Sequence, residues 1–312
     1  MNGPIALLGA SSKIARDLVL SHAAAGALAP LLLYVRDVAG AHRWLEAHGL
    51  GGRFAVHAYA DYGNHAHDAV INFVGIGDPV KTAQMGGDIF TVTQQYDDLV
   101  LRALADAPER RYLFLSSGAA YGSRFEAPAG PDTPAQFPVN ALGPQDFYGL
   151  AKLHAEARHR ALPQYAITDL RVFNYFSRTQ ELEARFLITD ILRAVRDDAT
   201  LQTSAAYMVR DYLHPFDFHA LVTHVLAAPA RNRALDCYTR APVDKPALLA
   251  AMGETFGLRY EMVDGPSGVS ATGAKPHYYS LNRAAADTGY APRYGSLDGL
   301  LLEARAVLAA QA

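Results

Sequence analysis

Along the first half of the chain, short apolar runs alternate with stretches whose apolar residues recur at helical spacing. Ile5 to Leu8, Leu31 to Val35, Phe54 to Tyr59, Ala69 to Val74, Tyr112 to Ser116 and Ile167 to Val172 read as buried strands. The stretch running to Ala24, Tyr96 to Ala107 and Phe147 to Leu162 carry the helical period. This alternation predicts an α/β fold, a parallel sheet covered on both faces. After Phe176 the rhythm loosens. Leu182 to Arg196, Phe216 to Ala228, Lys245 to Phe256 and Leu297 to Ala309 read as helices, and Leu235 to Tyr238 as a short strand. There is no linker of flexible composition and no internal repeat.

With 312 residues, half of them apolar, the chain can bury a large core as one big domain or two intimate ones. A net charge of −3 gives no general attraction to nucleic acid or an anionic membrane. Cys237 is the single cysteine, so neither an internal disulfide framework nor a cysteine metal cluster is available. Met1-Asn2-Gly3-Pro4 lacks a basic segment before a hydrophobic one, and no apolar run approaches about 18 residues. The expectation is a soluble cytoplasmic protein with no nucleic-acid, membrane or metal partner.

Tyr148 and Lys152 stand one helical turn apart on a common face, an arrangement suited to proton transfer. The run Phe114-Leu115-Ser116-Ser117-Gly118 takes a buried strand into a Gly-flanked turn, exposing the Ser117 hydroxyl at the strand's carboxyl end. Ser117 would polarise a substrate oxygen and Tyr148 would pass the proton. Lys152 would lower the phenol's pKa from about 10. A place for a hydride donor lies upstream, where Ile5 to Leu8 runs into Gly9-Ala10-Ser11-Ser12-Lys13-Ile14-Ala15 and a helix. A dinucleotide fingerprint uses glycines for a tight turn and a helix start for the pyrophosphate. Here Gly9 keeps the first position, while the small residues Ser12 and Ala15 take the other two.

Together these residues resemble the extended short-chain dehydrogenase/reductase family, in its nucleotide-sugar epimerase, dehydratase and ketoreductase branch. The resemblance extends to Ser116-Ser117-x-x-x-Tyr121-Gly122, to Leu170-Arg171-Val172-Phe173-Asn174 and to Arg210-Asp211-Tyr212-Leu213-His214-Pro215-Phe216-Asp217. It implies a Rossmann-type doubly wound parallel sheet over residues 1–175. A smaller interleaved substrate lobe would occupy 176–312, with a strand and helix near 205–240 returning to the sheet. It places the cofactor on Gly9, Ser11, Ser12, Lys13, Ile14, Asp61-Tyr62 and Phe73-Val74-Gly75, beside Tyr148 and Lys152. Thr93 falls near a position where many relatives carry asparagine. Asn174 and Arg210 would hold the pyrophosphate of a nucleotide-diphosphate sugar, beside Ser117. The helices near 93–107 and 147–162 would pair across a two-fold axis in a homodimer.

At the end of the second strand an acid suits NAD, whereas an arginine suits NADP. Arg36 falls there, followed by Asp37, so NADP is favoured over NAD. Dehydratases resembled here carry an acidic pair where this chain has Gly118-Ala119-Ala120. The expected activity is therefore reduction of a 4-keto (6-deoxy) sugar nucleotide. The alternatives are a 4-epimerase with tightly held NAD, a reductase of small ketones, and a non-catalytic dinucleotide-binding sensor. His154 and His159 lie roughly 140° apart around one helix and cannot share a metal; they read as part of a polar face. His65 and His67 read as water-facing, His214 as a buttress or a structural residue. Tyr278 and Tyr279 can line a sugar pocket or pack.

Overall fold

The computed structural model describes residues 3–75, 84–184, 186–263 and 275–310. Its strands in chain order are β1 (Ile5–Leu8), β2 (Leu31–Val35), β3 (Ala55–Ala58), β4 (Ala69–Asn72), β5 (Arg111–Ser117), β6 (Ile167–Val172) and β7 (Asn174–Tyr175). They continue with β8 (Thr200–Ser204), β9 (Val209–Arg210), β10 (Tyr212–Leu213), β11 (Arg233–Asp236), β12 (Val243–Asp244), β13 (Arg259–Val263) and β14 (His277–Tyr278). The helices are α1 (Lys13–Ala24), α2 (Val38–Ala47), α3 (Asp88–Asp106), α4 (Pro144–Arg160), α5 (Leu187–Arg196), α6 (Pro215–Ala227), α7 (Lys245–Phe256) and α8 (Ser296–Ala309).

The central sheet has seven parallel strands in the order β11-β6-β5-β4-β1-β2-β3. Strand order reverses between β1 and β4. At that point the loops leaving the carboxyl ends diverge to opposite faces and open a crevice, as in Rossmann-type folds. Apolar side chains on both faces of β1, β4 and β5 require helices on both sides. On one side Leu18 and Val19 of α1 and Phe218, Leu221 and Val225 of α6 cover Leu7, Leu33 and Ile71. On the other, Val100 and Leu104 of α3 and Ala155 of α4 cover Leu8, Val70, Tyr112 and Phe114. A second core joins α5, α7 and α8 through Ile191, Leu192, Leu248, Met252 and Leu300.

Sequence periodicity placed most elements and missed some boundaries. α3 starts at Asp88, well before Tyr96, because its first turns bury only Ile89 and Thr93 and carry little apolar period. α2 was not anticipated; only Ala41 and Leu45 of it are buried. α5 starts at Leu187 rather than Leu182, with Arg185 outside the described residues. Among the described residues no helix is long and apolar enough to cross a membrane.

Candidate active site

The crevice is lined by a short chain of contacts that links the first turn to Lys152 and Tyr148. Gly9 adopts φ +76°, and a Cβ there would lie 2.9 Å from the backbone nitrogen of Val74, so this turn admits only glycine. One residue beyond Val74, a Cβ on Gly75 would lie 3.3 Å from Lys152 Nζ. Lys152 in turn sits 5.8 Å from the centroid of the Tyr148 ring on α4. Residues from β1, β4 and α4 thus meet at the reversal of strand order. Gly149 permits this approach, because a Cβ there would lie 2.4 Å from the carbonyl oxygen of Ala119 in the turn after Ser117.

Ser117 ends β5, and its Oγ accepts the Ala119 N–H at 3.1 Å, capping the short turn Gly118–Tyr121. Lys152 is buried; its Nζ donates to the Leu115 carbonyl at 2.7 Å and lies 4.4 Å from the Phe114 ring centroid. Burial lowers its pKa to about 8, with Glu156, Asp97 and Asp169 opposing the fall. Burial raises the pKa of Tyr148, and the hydrogen bond with Ser117 offsets part of that rise. The expected lowering of the phenol's pKa is therefore reversed here: desolvation dominates while the ammonium is engaged by a carbonyl.

The second half of the chain completes the site. β9 lies between β12 and β14, and register pairs Arg210 with Tyr278. Arg210 donates to the carbonyls of Val209 and Lys275 at 2.8 and 2.5 Å and stands 5.9 Å from the Tyr278 ring centroid. Asp211 turns away from Arg210 and is buried, accepting from Thr239 N at 3.1 Å and Ser296 Oγ at 2.9 Å, so the two residues form no surface ion pair. Asn174 directs its amide to the carbonyls of Asp211 and Tyr278 at 3.4 and 3.3 Å. Its nitrogen thus braces the strand beside Arg210.

Tyr121 and Arg171, both within recognised motifs, belong to a buried network beneath Ser117. Arg171 donates to Glu156 and to the Tyr121 hydroxyl at 2.5 and 2.8 Å. Tyr121 donates to Asp236 at 2.9 Å, Ser280 donates to the same carboxylate at 2.6 Å, and Ser116 donates to Glu156 at 2.5 Å. Sequence reasoning named these motifs without finding this role, because the network draws on five separate segments.

The residues suit a dinucleotide. The Gly9 turn is a cradle a Cβ would fill, and helix α1 opens just beyond it, a helix start being the usual seat for phosphate. Ser11 is exposed, Ser12 caps α1, Ile14 packs on the first core, and Lys13 lies 4.0 Å from Glu181. Arg36 is exposed at the end of β2, while Asp37 caps α2 by accepting the Gly40 N–H at 2.8 Å. Asp61 is half-buried, but Tyr62 enters the core with its hydroxyl 3.4 Å from His67 Nε2. Phe73 is buried 6.1 Å from Phe218, so it could meet a cofactor only through its backbone, and Val74 is half-buried. Tyr59, not singled out from sequence, has its pKa lifted to about 12 by burial, against the field of Arg36.

Two of the histidine readings change. His159 is buried between Asp169 and Asp97 rather than on a polar face, although His154 is exposed. His67 is buried, and His65 stacks on His57 with centroids 3.8 Å apart, so neither simply faces water. His214 is structural, capping α6 through the Phe216 N–H and contacting Glu303 at 3.2 Å.

No protein of curated function matches the sequence significantly. Among solved structures, UDP-glucose 4-epimerase from Thermotoga maritima with UDP-glucose superposes with TM-score 0.80 at 15% identity, covering 99% of this chain and all of that one. UDP-glucose-4-epimerase from Stenotrophomonas maltophila, with bound NAD and formylated UDP-arabinopyranose, gives 0.80 at 19% identity over 100% and 98%. UDP-glucuronic acid 4-epimerase from Bacillus cereus, with UDP-glucuronic acid and NAD, gives 0.77 at 16% over 99% and 100%. Identities this low establish a shared fold. The family model for the NAD dependent epimerase/dehydratase family matches residues 56–238, more than half of the chain. With the crevice and the Ser117, Tyr148 and Lys152 constellation on that fold, the chain belongs to the NAD dependent epimerase/dehydratase family.

Proposed function

We propose that the protein is an NAD(P)-dependent oxidoreductase of nucleotide-diphosphate sugars that reduces a 4-keto sugar nucleotide, with Tyr148 as proton donor. The observation that carries this reading is the meeting of Ser117, Tyr148 and Lys152 within one residue of the Gly9 and Val74 turn. A bound nicotinamide would supply the hydride. Tyr148 Oη donates its proton to the sugar oxygen, Ser117 donates a hydrogen bond to the same oxygen, and the Lys152 ammonium stabilises the phenolate left behind. Gly118, Ala119 and Ala120 offer no carboxylate for removing water. Because Asp37 is engaged as a helix cap, Arg36 is the free-standing charge for an adenosine 2′-phosphate, which supports NADP. Arg210 and Asn174 would receive the substrate diphosphate.

A 4-epimerase is the second reading, supported by solved neighbours that are 4-epimerases with NAD and UDP-sugars. Cofactor analysis of the purified protein separates the two. An empty site that consumes NADPH with a 4-keto-6-deoxy sugar nucleotide supports reduction, with Arg36→Ala lowering the NADPH-over-NADH preference about tenfold or more. Stoichiometric NAD that survives purification, without NADPH consumption, would select epimerisation. Loss of all turnover across a broad sugar-nucleotide panel would overturn both.

A further inference from the structure

A second phenol reaches the site from the C-terminal lobe. The Tyr278 hydroxyl lies 3.2 Å from Ser117 Oγ, and its ring is buried, perpendicular to Phe125 at 4.8 Å and 5.2 Å from Phe173. Two cations flank it, Lys275 Nζ at 4.6 Å and the Arg210 guanidinium at 5.9 Å from the ring centroid. Its backbone is fixed by pairing with Arg210 and by the Asn174 amide, and Ser280 beyond it is tied to Asp236.

Either oxygen of this pair can donate, but once Tyr148 gives its own hydrogen to the sugar oxygen, donor counting favours the Tyr278 phenol as the donor to Ser117. A serine oxygen has one hydrogen and two lone pairs. One lone pair of Ser117 takes the Ala119 N–H. A buried phenolic O–H must also be placed, and the side-chain acceptor the described residues give it is Ser117 Oγ. Burial raises the pKa of this phenol, so it stays protonated at neutral pH. With both lone pairs of Ser117 filled, its single hydrogen has only the crevice side left, where Tyr148 stands.

We propose that Tyr278 is a positioning residue which, by donating to Ser117, commits the serine hydrogen to the sugar oxygen. The proposal rests on the oxidoreductase reading for its catalytic consequence, but its geometric core is tested without turnover. In protein labelled with tyrosine ¹³Cζ, the Tyr148 resonance is assigned by its absence from Tyr148→Phe. In Tyr278→Phe the freed Ser117 hydroxyl should support the Tyr148 phenolate less, moving that titration to higher pH. With the same 4-keto-6-deoxy sugar nucleotide and NADPH, kcat should fall about tenfold or more while KM changes less than about threefold. Tyr279→Phe, which removes the adjacent phenol, should do neither. An unmoved Tyr148 titration overturns the proposal even if no substrate is found, and so does a raised titration with kcat unchanged. The same effects from Tyr279→Phe would also overturn it. Absence of turnover in the wild type with a moved titration would instead reject the oxidoreductase reading alone.

Discussion

On the proposed oxidoreductase reading the chemistry turns on Lys152, whose charge would have to persist while it lies buried near carboxylates and a carbonyl. A pKa lowered to about 8 means that the ammonium is lost as pH rises through that value. The kcat/KM profile should therefore fall above pH about 8, and Lys152→Arg, which holds its charge to higher pH, should move that limb upward. A pH profile identical in both proteins would exclude Lys152 as the controlling group. Tyr148→Phe should lower kcat by roughly 10² to 10⁴ while leaving cofactor affinity in place, measured by turnover and cofactor titration. Tyr148 and Lys152 were readable from sequence because a single helical turn joins them. Tyr278 was left between lining a sugar pocket and packing, since nothing in a linear chain relates it to Ser117, 161 residues earlier.

Helix α4, which carries Tyr148 and Lys152, is pinned at its far end by a buried charge cluster. His159 places Nδ1 2.6 Å from Asp169 and Nε2 2.8 Å from Asp97, where an imidazolium can donate to both carboxylates. Burial opposes that charge, but the two aspartates outweigh it and raise the pKa to about 9. Tyr112 also donates to Asp97, at 2.9 Å; Asn72 donates to Tyr112 at 3.1 Å and accepts the Val74 N–H, so the cluster reaches the cofactor turn. A histidine pKa raised from 6.5 gives stability that is complete below about pH 6.5 and lost as pH rises through about 9. Urea unfolding across that range should show the decline in wild type and lack its His159 component in His159→Gln. His159→Leu should destabilise by about 3 kcal/mol or more, because two buried carboxylates lose their partner. On the opposite side of the crevice, Gly9→Ala forces a positive φ on a side-chain residue and pushes on Val74. It should weaken cofactor binding by more than it lowers the unfolding midpoint.

At the scale of the molecule, β11 and α6 return from late in the chain to complete the sheet and one of its faces. Arg111 on β5 secures the return, donating to the carbonyls of Val225, Leu226 and Ala228 at the end of α6. Helices α3 and α4 pack together on the other face, and we propose a homodimer through them; light scattering at micromolar concentration should give twice the chain mass, and a monomer would reject it. The apolar runs and their helical interludes determined by themselves that the chain folds as a parallel sheet between helices, because strand and helix periods are local and burial on both faces leaves uniform runs. They also marked Gly9, Ser117, Tyr148 and Lys152, whose chemistry depends on neighbours a turn or a loop away. Tertiary structure alone decided that His159 is a buried cation, that Tyr62 belongs to the core, and that Tyr278 meets Ser117. In each case burial and hydrogen-bond partners come from segments far apart in sequence, and only the closed fold sets their distances.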